Sequence, residues 1–100
     1  MRALRQPALE SVSIEQVLYA LSDPLRLAMV RRLVKEGEVS CAALGCGKAK
    51  SSMSHHFRVL RESGLVQTRT KGVTHLNSVR RKELDKKFPG LLRAVLSAKA

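Results

Sequence analysis

Acidic side chains are scarce in this chain, with 8 Asp and Glu against 19 Lys and Arg in 100 residues and a formal net charge of +11. Such an imbalance favours polyanionic partners, either nucleic acid or an anionic membrane surface. Cysteine is scarcer still. Cys41 and Cys46 are too few for the disulfide framework of a small secreted domain, and reduced thiols are the default. No apolar run approaches the roughly 18 to 20 residues that cross a bilayer. No signal-type apolar segment follows Arg2 and Arg5, so the cytoplasm is the expected location. Gly-rich phosphate loops, paired carboxylates and a third partner for a Cys–His couple are also missing, which argues against an enzyme.

The basic residues that are present are unevenly spread. Lys48, Lys50, Arg58, Arg61, Arg69, Lys71, Arg80, Arg81 and Lys82 fall in one stretch in which Glu62 is the only acid. This concentration resembles a phosphate-contacting footprint more than dispersed solubilising charge. A chain this short forms one domain at most, and its monomer is marginal, so a partner subunit is expected.

Residues 1–10 lack a sustained period and read as a flexible N-terminal arm, leaving 11–100 as the domain. Ile14, Val17, Leu18 and Leu21 recur at helical spacing, giving a first helix from Ser13 to about Leu21. Asp23-Pro24 opens a second helix, with Leu25, Ala28, Met29, Leu33 and Val34 as its inward set and Gly37 as its end. A short third segment covers Glu38 to Gly45, and Gly45-Cys46-Gly47 makes a turn. The fourth helix spans Ser51 to Glu62. Met53, Phe57 and Leu60 share one stripe, while Ser51, Ser54, His55 and Arg58 share the opposite one with Ser52 at its edge. His56 flanks the buried stripe and is expected to hold the helix by a hydrogen bond.

Gly64 supplies a left-handed helix stop. Leu65–Arg69 and Val73–Asn77 read as strands joined by Thr70-Lys71-Gly72, a basic-tipped hairpin directly after a helix-turn-helix. The expected fold is therefore mainly α with a small β-hairpin, a winged helix-turn-helix. Its fourth helix carries small polar groups, an imidazole and a guanidinium into the DNA major groove. Lys50, Ser51, Ser52, Ser54, His55, Arg58, Arg61, Arg69 and Lys71 are the candidate DNA-binding residues. The tail from Arg80 carries a short helical piece with Leu84, a break at Pro89, and a last helix with Leu91, Leu92, Val95 and Leu96. Paired across a two-fold axis, Ile14, Val17 and Leu18 would cover Leu91, Leu92, Val95 and Leu96.

Leu21-Ser22-Asp23-Pro24-Leu25-Arg26-Leu27, followed by the block from Ser52 to Val66, resembles the winged helix-turn-helix repressors of the arsenic-repressor (ArsR/SmtB) family. The resemblance implies a homodimer on a palindromic operator, repressing until a signal releases it. It assigns the recognition helix to Ser51–Glu62, with Ser51, Ser54, His55 and Arg58 facing DNA. The tail from Arg80 to Leu92 is similar to that of a branch without metal. Where the family has a Cys-x-Cys pair in its third helix, this chain has Ser40 and Ala42 around Cys41, and nothing from Phe88 to Ala100 can ligate zinc. No metal or other cofactor is therefore expected.

Cys41 and Cys46 keep three readings: structural thiols, a redox pair whose disulfide would distort the turn before Ser51, or a soft-metal site. Two further classes stand beside the repressor: nonspecific coating of the nucleoid, which basic charge alone permits, and a membrane-surface protein, which the interleaving of basic residues with helix-turn-helix spacing disfavours.

Overall fold

The computed structural model describes residues 6–45 and 47–98. A single 3-10 turn (Leu9–Ser11) leads into α1 (Ile14–Leu21) and α2 (Pro24–Glu36). Then follow β1 (Val39–Ser40), α3 (Cys41–Leu44), α4 (Lys50–Glu62), β2 (Val66–Lys71), β3 (Thr74–Val79), α5 (Arg81–Lys87) and α6 (Leu91–Ser97). The three strands form one antiparallel sheet in the order β1-β3-β2. Helices with a small sheet in this order make a winged helix-turn-helix, with α3 and α4 as its paired helices. No helix among the described residues is long and apolar enough to cross a membrane.

Local sequence explains where the helices begin. Ser13 Oγ accepts from the Gln16 amide at 3.2 Å, and Gln16 Oε1 accepts from the Ser13 amide at 2.8 Å, a reciprocal box that starts α1. Asp23 accepts from the Arg26 amide at 3.0 Å, and Pro24 occupies the first turn of α2. That bond is the main reason the Asp23 carboxyl titrates below its ordinary range.

The core gathers Val17, Ala20 and Leu21 of α1, Met29, Val30 and Leu33 of α2, and Met53, Phe57 and Leu60 of α4 around Leu65 and Val66. Leu84 and Leu92 complete it from α5 and α6. On α2 the buried stripe is Arg26, Met29, Val30 and Leu33. Ala28 and Val34, expected inward, face solvent, and Leu25 is half-buried. The stripe is rotated because the Arg26 guanidinium is drawn inward by carbonyls at the end of α1.

The apolar residues expected to meet a second subunit divide. Val17 and Leu92 are 0% and 1% exposed and belong to the protomer's own core. Ile14 and Leu18 remain 42% and 46% exposed on the other side of α1, beside Tyr19. Leu91, Val95 and Leu96 are half-buried against the core. The α1 stripe is wide enough to serve two faces: Val17, Ala20 and Leu21 point in, and Ile14 and Leu18 point out.

The hairpin is longer than the alternation suggests, and its loop is shorter. Thr70 pairs with His75 and Lys71 with Thr74, leaving Gly72-Val73 as a two-residue turn. Gly72 takes φ +61° at the first turn position, which matches the twist of the flanking strands. Val73 stands fully in solvent at the tip.

The N-terminal segment is bound to the domain from Gln6 onward. Gln6 Oε1 accepts from the Thr68 amide, and the Pro7 carbonyl accepts from Arg80 Nη1 at 2.7 Å. Lys87 Nζ donates to the carbonyls of Leu9 (2.6 Å), Glu10 (3.2 Å) and Val12, and Leu9 is buried. The part of the expected flexible arm that is described, residues 6–10, is thus gripped by α5 and its approach.

Candidate nucleic-acid interface

Helix α4 presents two faces with opposite chemistry. Met53, Phe57 and Leu60 are buried, and Ser51, Ser52, Ser54, His55 and Arg58 are exposed, as their spacing predicts. Lys50, one residue ahead of the expected start, is the first helical residue and is exposed. Ala49 at the N-cap gives no side-chain hydrogen bond, so the first amides of α4 keep their donor capacity.

Behind the helix, His56 is held as expected, although sequence reasoning did not identify its partner. Arg26, 4% exposed, donates through Nη1 to His56 Nδ1 at 3.2 Å. It also donates through Nε to the Ala20 carbonyl at 2.8 Å and through Nη2 to the Tyr19 carbonyl at 3.3 Å. Since a guanidinium only donates, Nδ1 must be the unprotonated ring nitrogen. The Tyr19 ring lies 5.1 Å from the same guanidinium. One side chain therefore closes the end of α1 and fixes the back of α4. The available sequence signal was an arginine at helical spacing from Met29, Val30 and Leu33, which the apolar pattern alone excluded.

The basic stretch separates into paired and unpaired cations. Arg69 holds both Glu38 carboxylate oxygens, at 2.7 and 2.8 Å. This hydrogen bonding is the main cause of the lowered Glu38 and raised Arg69 protonation equilibria. Arg80 pairs with Glu83 at 3.0 Å and Arg81 with Asp85 at 3.2 Å. Arg80 is also engaged with Pro7, which gives it a structural role. Among the described residues, no carboxylate lies within ion-pair distance of Lys48, Lys50, Arg58, Arg61 or Lys71. Apart from Lys82 on α5, the unpaired cations of this stretch lie on α4, on the turn before it and at the wing tip.

The wing is locked to α3 by one buried amide. Asn77, fully buried on β3, accepts from Thr68 Oγ1 at 2.7 Å and donates to the Val39 carbonyl at 3.1 Å and to Cys41 Sγ at 3.2 Å. Strand β1, two residues long, was too short to show a period in the sequence, and its pairing of Val39 with Asn77 is what brings α3 to the wing. Cys41 is a half-buried free thiol. Cys46 lies outside the described residues, and so does any pairing of the two. Among the described residues, no group of three His, Cys, Asp or Glu side chains is placed to hold a metal ion.

Between α3, α4 and β3 lies a half-open cleft of about 520 Å³, walled by Cys41 and Ala42 and floored by Met53 and Phe57. Lys50, Ser54 and Arg61 line it from α4, on the flank nearer Phe57, and His75 lines it from the wing. Arg61 is half-buried there.

Residues 21–69 match the family described as a helix-turn-helix domain. Over 83 residues the chain is 40% identical to YceK of Bacillus subtilis (strain 168), described as an uncharacterized HTH-type transcriptional regulator; the match covers 80% of this chain and 83% of that protein. The transcriptional repressor BigR from Xylella fastidiosa has the same fold at TM-score 0.60 and 32% identity, over 75% of this chain and 85% of BigR. The homodimeric winged helix-turn-helix DNA-binding domain of Mb0332 from Mycobacterium bovis, a possible ArsR-family transcriptional regulator, superposes at TM-score 0.67 and 24% identity, over 82% of this chain and 76% of that one.

Proposed function

We propose that this chain, which belongs to the ArsR/SmtB family of winged helix-turn-helix transcriptional regulators, DNA-binding proteins and not enzymes, acts as a homodimeric repressor on an inverted-repeat operator. The carrying observation is the face of α4 on which Ser51, Ser54, His55 and Arg58 are exposed while Met53, Phe57 and Leu60 anchor the helix from behind. In the proposed complex His55 and Arg58 meet base edges and the uncapped first turn of α4 meets a phosphate. Lys50, Ser52, Arg61 and Lys71 supply further backbone contacts. Arg69 joins them only by exchanging Glu38 for a phosphate.

Dimerisation is supported by the exposed Ile14 and Leu18 and by the half-buried Leu91, Val95 and Leu96. The similar Mb0332 domain is homodimeric, which agrees with it. Two recognition helices would then enter major grooves roughly 34 to 36 Å apart. The repressor role is supported by the likeness to BigR.

Footprinting upstream of the chain's own gene tests this reading. Protection of an inverted repeat, lost in Arg58→Ala, is the expected result. Equal affinity for that region and for random competitor DNA would instead favour nonspecific coating of the nucleoid. Release by thiol oxidation is a second reading, favoured by the half-buried Cys41 thiol, since Cys41 lines the same cleft as Ser54 of the DNA-facing helix. The expected result is operator release by oxidised protein and none by oxidised Cys41→Ser or Cys46→Ser. Release from either substituted protein would reject it.

A further inference from the structure

We propose that the cleft between α3, α4 and the wing strand β3 binds a small amphipathic organic anion, an aromatic or aliphatic body bearing one carboxylate or sulfonate, and that its occupant competes with DNA. The cleft volume of about 520 Å³ lies within the range typical of small-molecule sites. Buried Phe57 and Met53 form its floor, and the more exposed Lys48, Lys50, Arg61 and His75 form its rim. Among the described residues no carboxylate lines it. Arg32, Arg69, Arg80 and Arg81 are neutralised within the protein, whereas no described carboxylate lies within 4.0 Å of the three rim cations.

The combination selects the ligand class. A bare inorganic anion, or a DNA phosphate, would satisfy the rim and leave the apolar floor unmatched. An uncharged hydrocarbon would cover the floor and strip water from three cations without replacing it. Only a molecule with both parts answers both surfaces. Competition follows from position, because Lys50 and Ser54 belong to the cleft and to the DNA-facing helix at once. That clause alone rests on the DNA-binding role proposed above.

The test uses 8-anilino-1-naphthalenesulfonate as the anionic probe and N-phenyl-1-naphthylamine as its uncharged counterpart, with DNA-free protein. Fluorescence titration gives the affinity, and backbone amide shifts give the location. Saturable binding of the sulfonate is expected, with shifts confined to residues 41–45, Lys48, α4 and His75, and with weaker binding of the neutral probe. Replacing one rim cation, as in Lys48→Ala (exposed) or Arg61→Ala (half-buried), should weaken the sulfonate about threefold, and replacing both about tenfold. Lys48→Ala lies in a turn outside the core, so it keeps the test informative even where Arg61→Ala fails to fold.

Shifts centred on Ile14 and Leu18, or sulfonate and neutral probe binding alike in all variants, would overturn the site. Addition of the gene's own upstream duplex then reads the second clause. Release of the duplex by saturating sulfonate supports competition, and a ternary complex with the probe still in the cleft removes it. A protein that binds the sulfonate in the cleft and ignores the duplex altogether would sink the DNA-binding reading and leave the site standing.

Discussion

A buried guanidinium needs an acceptor for each donor it takes out of water, and Arg26 finds them at Ala20, Tyr19 and His56. Arg26→Ala strands two carbonyls and removes the prop behind α4, so it should destabilise the fold by roughly 2–3 kcal/mol in urea unfolding. DNA binding should fall further than the loss of folded protein explains. Asp23→Ala removes the cap of α2 at about 1 kcal/mol. The sign of its pH dependence follows from the lowered carboxyl: stabilisation is complete above the ordinary aspartate value of 3.8 and fades as pH falls through the lower folded value. The difference in stability between Asp23→Ala and the parent should therefore shrink only in strong acid. Glu38→Gln acts in the opposite direction on function, because it frees Arg69 for DNA. Affinity for DNA should rise about two- to fivefold, with the gain erased in Arg69→Ala.

At the scale of the element, the junction between α4 and β2 has the least tolerance. Gly64 takes φ +80°, and a Cβ there would meet Val12 Cγ2 at 3.0 Å. Gly64→Ala should cost about 1–2 kcal/mol from backbone strain alone, read as a lower urea midpoint with an unchanged slope. This stop was legible in the sequence because a glycine directly follows an amphipathic run. The faces of α4 and the Asp23-Pro24 start were legible for the same reason: each is a local pattern complete within a few residues. What was not legible depends on distant partners. Arg26 lies inward only because the end of α1 and His56 come to meet it. Arg69 looked like a free cation because Glu38, 31 positions away, is brought beside it by the sheet. Val17 and Leu92 read as interface residues because a stripe shows that a face is apolar, not which neighbour covers it.

For the molecule as a whole, the paired and unpaired cations make different contributions to a net charge of +11. Each phosphate contact contributes a slope of about 0.9 in log affinity against log salt, so Lys50→Ala, which removes one contact per protomer, should flatten the dependence of a dimer by about 2. Arg81→Ala, whose cation is already answered by Asp85, should leave the slope unchanged. The grip of Lys87 on Leu9, Glu10 and Val12 joins positions 75 to 78 residues apart. During synthesis this means that the 3-10 turn, made well before α5, must wait for that helix before its carbonyls are answered. The two ends of the domain are therefore fastened to each other last, and a nascent chain halted after the wing would carry its reading head without that strap.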